Sequence, residues 1–404
     1  MRLRSFERSS SIDYIRPEDR HIFKHPPAVF KFNIIGTGMI GQEHMRVTEL
    51  EGRARIHGIY DTQQESIDVA KREFANYCDR ELTIHTSLED ACNDPEADAL
   101  IICTPNHTHL EVLKVAAKSG KPILLEKPMA TTCADAIEIC KIAGSYAAPI
   151  QIGLQYRFKP IYSEAIYEAL ESRSVGNIKT IAISEHRPPF LDKVDQWNKF
   201  SELSGGTLVE KCCHYFDLIT LFAGATPTRV YASGSQAVNF TDFSYKGRQS
   251  DILDNATVVI DYEGGARGTF TLNMFCPNFQ EDLVICGDEG LLSATEKADM
   301  QAETPLACNL LIEKAEPGLS RKAEPHYARF IEESGHSGAT YMEHIAFVDR
   351  LMVKETRAAT VLEGLWSVVV GAAAERSIKS GAPVEIRQFA AETEGLSTLL
   401  GLEG

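Results

Sequence analysis

Between residues 29 and 153 short apolar runs alternate with helix-period segments without a break, and this alternation constrains the fold more than any other feature. The runs "VFKFNII", "ARIHGIY", "LTIH", "ADALIIC", "PILLE" and "PIQIGLQ" read as strands. Helices are predicted over Met39 to Leu50, "TQQESIDVAKREFA", "HLEVLKVAAKSG" and Thr131 to Ala143. Strict strand–helix order demands crossover connections, so the strands lie parallel with helices on the faces of the sheet. "ADALIIC" is apolar throughout, as a strand covered on both faces must be. Residues 30–153 are therefore expected to form a doubly wound α/β domain.

The texture changes after Gly153. A helix over 160–172 leads to "IKTIAISEHR", a loop, and a helix predicted from Thr207 to Phe222. Then come "TRVYASG", "NATVVIDYEGGARGTFTLNMF" and "EDLVICGDEGLLSA", strands punctuated by turn residues, with "DYEGGARG" a hairpin signal. Two late helices, about 340–353 and 358–379, precede "APVEI". Residues 154–404 read as an α+β domain with an open-faced, mostly antiparallel sheet. Residues 1–29 lack periodicity and read as an arm outside the fold. A length of 404 residues suits this division.

Composition removes several partners. With 41 Lys+Arg against 57 Asp+Glu the net charge is −16, which repels nucleic-acid backbones and anionic lipid. No apolar run approaches the ~20 residues of a membrane helix, and "MRLRSFERSS" lacks the apolar centre of a secretory signal. Of ten cysteines, Cys103, Cys140 and Cys286 sit inside apolar runs, which suits core thiols in a reducing cytoplasm better than disulfides. "CCH" at 212–214 has no second CxxC or His pair at zinc spacing, so no metal is expected.

Three motifs fall at strand ends of the first half. "GTGMIG" places Gly36, Gly38 and Gly41 between the first strand and first helix, permitting a tight turn and close approach of a pyrophosphate. The free amides of the helix start, at Met39, Ile40 and Gly41, then face the phosphates. Asp61 closes the second strand twenty residues beyond Gly41. A carboxylate there accepts both ribose hydroxyls and repels a 2′-phosphate, favouring NAD over NADP; Asp61 is equally able to cap the second helix. "CTPNHTH" follows the fourth strand, so Thr104, Pro105, Asn106 and His109 lie at the ligand-binding edge of the sheet. Asn106 or Thr108 also has the chemistry of a helix cap. Finally, "EKP" ends the fifth strand with Glu126 and Lys127, charges that cost energy at the tip of a buried strand unless paired. Pro128 holds Lys127 extended and allows a cis bond; the bland alternative is a Lys–Glu surface pair.

Together with "QYRFKP", "GGTLVEKCCHYFD" and the helix in "GLWSVVVGAAAERSIKSG", the motifs "GTGMIG..H", "TPNHTH" and "EKP" resemble the glucose–fructose oxidoreductase and inositol dehydrogenase (Gfo/Idh/MocA) family. The resemblance runs from Phe32 to "APVEI". It implies a Rossmann domain binding NAD, Lys127 beside the nicotinamide and the reacting carbon, and Glu126 near the nicotinamide ribose. It sets His214 at the family's base position, Asp217 as an acid three residues on, and Glu210 where the family usually has Asp. Glu210 and His214, four apart on a predicted helix, are able to share a proton, although Thr207-x-x-Glu210 also reads as a capping box. Tyr156, Arg157, Trp197, Asn198, His336 and Tyr341 are further candidates for substrate contact.

The reaction implied is oxidation of a secondary hydroxyl on a cyclitol, sugar or glycoside, with hydride passing to NAD. His214 would take the hydroxyl proton and Lys127 stabilise the alkoxide, or the two exchange parts. An NAD-dependent glycosidase working by transient oxidation and elimination is the rival enzyme. A non-enzymatic sensor would be expected to lack Lys127 or His214, and Asp61 disfavours an NADP-linked reductase. A sheet with one uncovered face implies a dimer or tetramer.

Overall fold

Six parallel strands in the order β3-β2-β1-β4-β5-β6 form the first sheet of a computed structural model that describes residues 28–298, 307–314 and 320–403. The expected N-terminal arm falls almost wholly outside the described residues. The strands are β1 (Phe30–Ile35), β2 (Ala54–Tyr60), β3 (Thr83–Ile84), β4 (Ala99–Ile102), β5 (Ile123–Glu126) and β6 (Ile150–Gly153). Helices α1 (Met39–Glu51), α2 (Gln64–Ala75), α3 (Leu88–Asn93), α4 (His109–Ala116) and α5 (Cys133–Ser145) connect them. The order reverses between β1 and β4, which opens a crevice at their carboxyl ends. β4 is fully buried along its length, as its unbroken apolar run requires. α3 is too short to show periodicity, and its start is marked only by Ser87, which accepts the Asp90 N–H.

Beyond α6 (Pro160–Ile166), β7 (Ile178–His186) enters a second sheet, whose helical cover includes α7 (Ser201–Ser204), α8 (Thr207–Glu210) and α9 (Cys213–Ala223). β8 (Pro227–Ser235) joins it, then a small hairpin of β9 (Ser244–Tyr245) and β10 (Arg248–Gln249) stands apart. β11 (Asn255–Tyr262), β12 (Arg267–Asn273), β13 (Phe279–Gly287), β14 (Gly290–Ala298), β15 (Ala307–Lys314) and β16 (Arg321–Ala323) follow. The chain then forms α10 (Arg329–Glu332), α11 (Ala339–Leu351), α12 (Val361–Ser380) and β17 (Val384–Glu385). The nine described strands run in the order β16-β15-β14-β13-β7-β12-β11-β8-β17, and β7 with β12 is the parallel pair in an otherwise antiparallel sheet.

Two late helices tie the halves together. α11 returns to the first half, where Phe347 and Val348 are buried with Phe32, Ile34 and Met45, so the core of that half does not close at Gly153. α12 opens with a capping box, Thr360 and Glu363, and ends at Gly381 in the left-handed region. Its two glycines permit contact with both halves. A Cβ on Gly364 would meet Met129 and Ile152 within 3.0 Å, and one on Gly371 would lie 2.8 Å from the Leu208 carbonyl oxygen. The strand tip carrying Lys127 and the segment carrying Glu210 and His214 are thus packed on one helix.

Candidate active site

At the nucleotide end of the crevice, close packing leaves no room for side chains where the turn needs none. Gly36 has φ +93°, and a Cβ on it would sit 2.7 Å from the Cys103 carbonyl carbon and the Thr104 nitrogen. A Cβ on Gly41 would lie 2.0 Å from the Gly36 oxygen. Gly38 differs: a Cβ there would meet nothing within 4 Å, so its missing side chain serves an approach from outside. That open space lies at the start of α1, beside the free amides of Met39, Ile40 and Gly41. Asp61 Oδ2 accepts from the Thr37 N–H at 2.7 Å and the Thr37 hydroxyl at 3.1 Å, while Oδ1 accepts from the Gln63 N–H at 2.9 Å. The carboxylate therefore braces the glycine turn and the start of α2, and retains lone pairs for a ribose diol. These residues fit NAD. Gly41→Ala is expected to abolish NAD binding together with much of the fold. Gly38→Ala is expected to stay folded and weaken NAD by about tenfold or more, read by calorimetry.

In the "CTPNHTH" stretch the side chains brace rather than reach out. His109 is buried, with Nδ1 2.9 Å from the Pro128 oxygen and Nε2 2.9 Å from the Thr104 oxygen, so it joins the loop after β4 to the loop after β5. Asn106 donates to the Ser204 carbonyl of α7 at 3.2 Å. Neither Asn106 nor Thr108 caps the following helix by its side chain. What Thr104, Pro105 and Asn106 offer a nucleotide is backbone and surface at the crevice wall, while the His109 ring itself is sealed beneath.

Glu126 and Lys127 do not pair their side chains with each other. Glu126 Oε1 accepts from His44 Nε2 at 2.8 Å, and its Oε2 accepts from the Lys127 N–H at 3.0 Å. His44 Nδ1 meets His344 Nε2 at 2.7 Å. Burial alone would raise the Glu126 pKa, but His44 and Lys127 bring it below the usual range, so it is an anion with its partner underneath. The carboxylate expected near the nicotinamide ribose is thus a buried brace of the strand tip. Glu343, also buried, is pushed well above the usual carboxylate range by desolvation and by Glu126 and Glu43, and is a neutral acid.

Lys127 points across the crevice to the second half. Its Nζ lies 3.4 Å from the Glu210 carbonyl oxygen and 4.0 Å from Glu210 Oε1. Burial opposes its charge, but Glu210 raises the pKa, and the group is an ammonium. The helix expected over 207–222 is broken at Lys211 and Cys212, between α8 and α9. Glu210 turns to Lys127 and makes no hydrogen bond to His214 among the described residues. Nor is Glu210 a capping residue: Gly206 holds the N-cap and the Thr207 hydroxyl donates to the Leu253 oxygen. Glu210 Oε2 is buried and unpartnered.

His214 stacks flat on Tyr156, with centroids 4.0 Å apart and planes 8° apart. Burial, then the positive charges of Lys127 and Lys211, hold its pKa well below the ordinary value, so the ring is neutral. Its Nδ1 has no partner among the described residues. Tyr156, expected to touch substrate, is instead buried beneath this ring, its hydroxyl accepting from Lys211 Nζ at 2.8 Å.

Four other residues are placed otherwise than expected. Arg157 binds Asp217 through two bonds of 2.5 and 2.7 Å and also reaches Glu363, so both are a buried tie between α9 and α12 and not substrate ligands. Asn198 pins its own loop by donating to the Leu191 oxygen at 3.0 Å. Tyr341 lies beside Glu51 and Arg53, at the far end of α1 from the glycine turn. Trp197 is buried, with Lys193 Nζ 4.9 Å from its ring centroid, so its indole receives a cation where a sugar face was expected. His336 does reach the cluster, 6.5 Å from the Tyr156 ring, and its Nδ1 is 2.7 Å from Glu43 Oε1. Burial would raise Glu43; His336 and Thr340 bring it down to about 2.

Lys193, Lys211, Arg187 and Glu43 were not legible as site residues, and His44 stood out only as the last residue of "GTGMIG..H". The available signals were position alone: His44 follows the glycine turn, Lys211 adjoins Glu210, and Arg187 and Lys193 flank the Pro-Pro loop. All ten cysteines are free thiols. Among the described residues no helix is long and apolar enough to cross a membrane.

Residues 30–154 match the model of an oxidoreductase family with an NAD-binding Rossmann fold, and residues 167–386 match that family's C-terminal alpha/beta domain. The chain is 23% identical over 365 residues to a myo-inositol 2-dehydrogenase of Thermotoga maritima, covering 89% of this chain and 99% of that one. It is 26% identical over 357 residues to an uncharacterized oxidoreductase of Bacillus subtilis, covering 87% and 95%. A solved levoglucosan dehydrogenase in complex with NADH and levoglucosan has a similar fold, with a TM-score of 0.72 at 18% identity over 88% of this chain and 99% of that one. The glycine cradle, the Lys127 strand tip and the two matched domains together make this chain an NAD-dependent oxidoreductase belonging to the Gfo/Idh/MocA family.

Proposed function

We propose that the protein oxidises a secondary hydroxyl of a cyclitol, sugar or glycoside, with Lys127 and His214 acting at the reacting carbon. The observation that carries this reading is that Lys127 Nζ reaches the Glu210 carbonyl oxygen, 3.4 Å away in the same second-half segment that holds His214, whose ring stacks on Tyr156 and leaves Nδ1 unpartnered among the described residues. NAD, when bound, supplies the hydride acceptor. A hydroxyl gives up hydride only as its proton departs, so the site needs a neutral base and a cation for the developing alkoxide. His214 is already neutral and takes the proton on a ring nitrogen. Lys127 stays protonated and stabilises the oxygen. Glu210, 4.0 Å from Lys127, aims the ammonium and offsets part of its charge. The names of relatives, an inositol and an anhydrosugar dehydrogenase, support the substrate class. We also read the chain as a homo-oligomer, since alternate residues along β11, β12, β13 and β14 stay half-buried or exposed and leave one face of the sheet open.

The test is NADH production from inositols, pyranoses and aryl glycosides, with identification of the oxidised carbon. Net NADH from a polyol or sugar is the expected result. Aglycone release without net NADH would replace it with the transient-oxidation glycosidase, and neither reaction on any member would overturn both.

A further inference from the structure

The cleft holds more positive charge than its own carboxylates balance. Lys127, Lys193, Lys211 and Arg187 are four cations against three carboxylates, Glu210, Glu185 and Glu126. Lys211 and Arg187 share Glu185, at 3.1 and 3.5 Å, and Lys127 is set against Glu210 at 4.0 Å. Nearby, Lys159 is paired with Glu281 and Glu296, and the Glu43 and Glu126 carboxylates take hydrogen bonds from His336 and His44. Lys193 is the cation left over. Among the described residues no carboxylate oxygen lies within ion-pair distance of it, and its Nζ rests 4.9 Å over the Trp197 ring.

We propose that the substrate carries a permanent negative charge, a carboxylate in first place, and that Lys193 binds it. This rests on the dehydrogenase reading above and names the substrate class more closely. A half-buried ammonium without a counter-ion is costly, and an aromatic face compensates it only in part. Burial lowers the Lys193 pKa, Glu210 raises it, and Lys127 lowers it again, as expected for a group facing the same cleft as both. Trp197 fixes the ammonium's position, and the loop that carries both residues is pinned by the Asn198 side chain on Leu191. An anionic group on the sugar supplies the missing counter-charge and a charge-assisted hydrogen bond, whereas a neutral polyol leaves the surplus unpaired. The same geometry would accept a phosphate, so the test separates the two.

The experiment uses the full chain saturated with NAD and matched pairs: glucose with glucuronate, galactose with galacturonate, their methyl glycosides, and glucose 6-phosphate as the phosphate arm. Binding is read by calorimetry, and turnover by NADH and by released methanol. The charged member of a pair is expected to bind more tightly by about 10- to 100-fold, and Lys193→Gln to collapse that ratio by about tenfold or more. A ratio near one, including no binding by any charged member, overturns the proposal. So does a Lys193→Gln variant that weakens both members equally, which would leave Lys193 a packing partner of Trp197. A phosphate preferred over the uronates overturns the carboxylate assignment. Charged sugars that bind selectively without either reaction would leave this inference standing and sink the dehydrogenase reading. Turnover of neutral sugars with no charge preference would do the reverse.

Discussion

Replacing Lys127 by Met is expected to leave NAD binding largely intact and to lower turnover by about two to four orders of magnitude. Met keeps much of the stem, so packing at the strand tip survives, and the glycine cradle that holds the nucleotide is made by other residues. What disappears is the one cation that the fifth strand delivers across the crevice, held charged by Glu210. Its loss should fall on kcat with little change in NAD affinity, since the interaction strengthens as the alkoxide forms. Steady-state kinetics beside NAD calorimetry checks this. Near-normal turnover would remove Lys127 from the chemistry.

Lys159→Met is expected to cost about 3–5 kcal/mol of stability, because it leaves buried carboxylates without their cation. Lys159 Nζ lies 2.7 Å from Glu281 Oε2 and 2.5 Å from Glu296 Oε1, and all three are almost fully buried. Tyr215 donates to Glu281 at 2.7 Å, so the network reaches the residue next to His214. Burial pushes Glu296 up, while Lys159 holds Glu281 below its usual range despite burial. Urea unfolding of the variant should show the drop, and adding Glu281→Gln should recover part of it through coupling within the network. A loss under about 1 kcal/mol would mean that water reaches these groups.

The first half was legible because its signal is local. Apolar runs, a glycine turn and their order dictate a parallel sheet, and β2 matches "ARIHGIY" residue for residue. The contribution of α11 was not legible, because Phe347 and Val348 reach Phe32 and Ile34 only through a long-range return of the chain. The site divides the same way. Gly36, Gly38, Gly41 and Lys127 follow from strand-end position, which the sheet fixes. Spacing joins Glu210 to His214, but helix α8 ends at Glu210 and α9 starts at Cys213, and the Glu210 carboxylate is turned to Lys127, a partner from the other half that spacing does not reveal. Arg157 and Tyr156 looked like ligands in "QYRFKP", yet sequence spacing says nothing of Asp217 or of the ring that lies on Tyr156. Lys193 had no motif at all; only the folded loop brings it over Trp197.

The central claim is that an ammonium from one half and an imidazole from the other meet at a single alcohol carbon. The most direct measurement is a crystal structure of the complex with NADH and the substrate identified by the turnover panel. The account predicts the reacting oxygen within about 3.2 Å of both Lys127 Nζ and a His214 ring nitrogen. An oxygen bonded to neither group, or a carbon held away from the nicotinamide with both side chains turned from it, would contradict it.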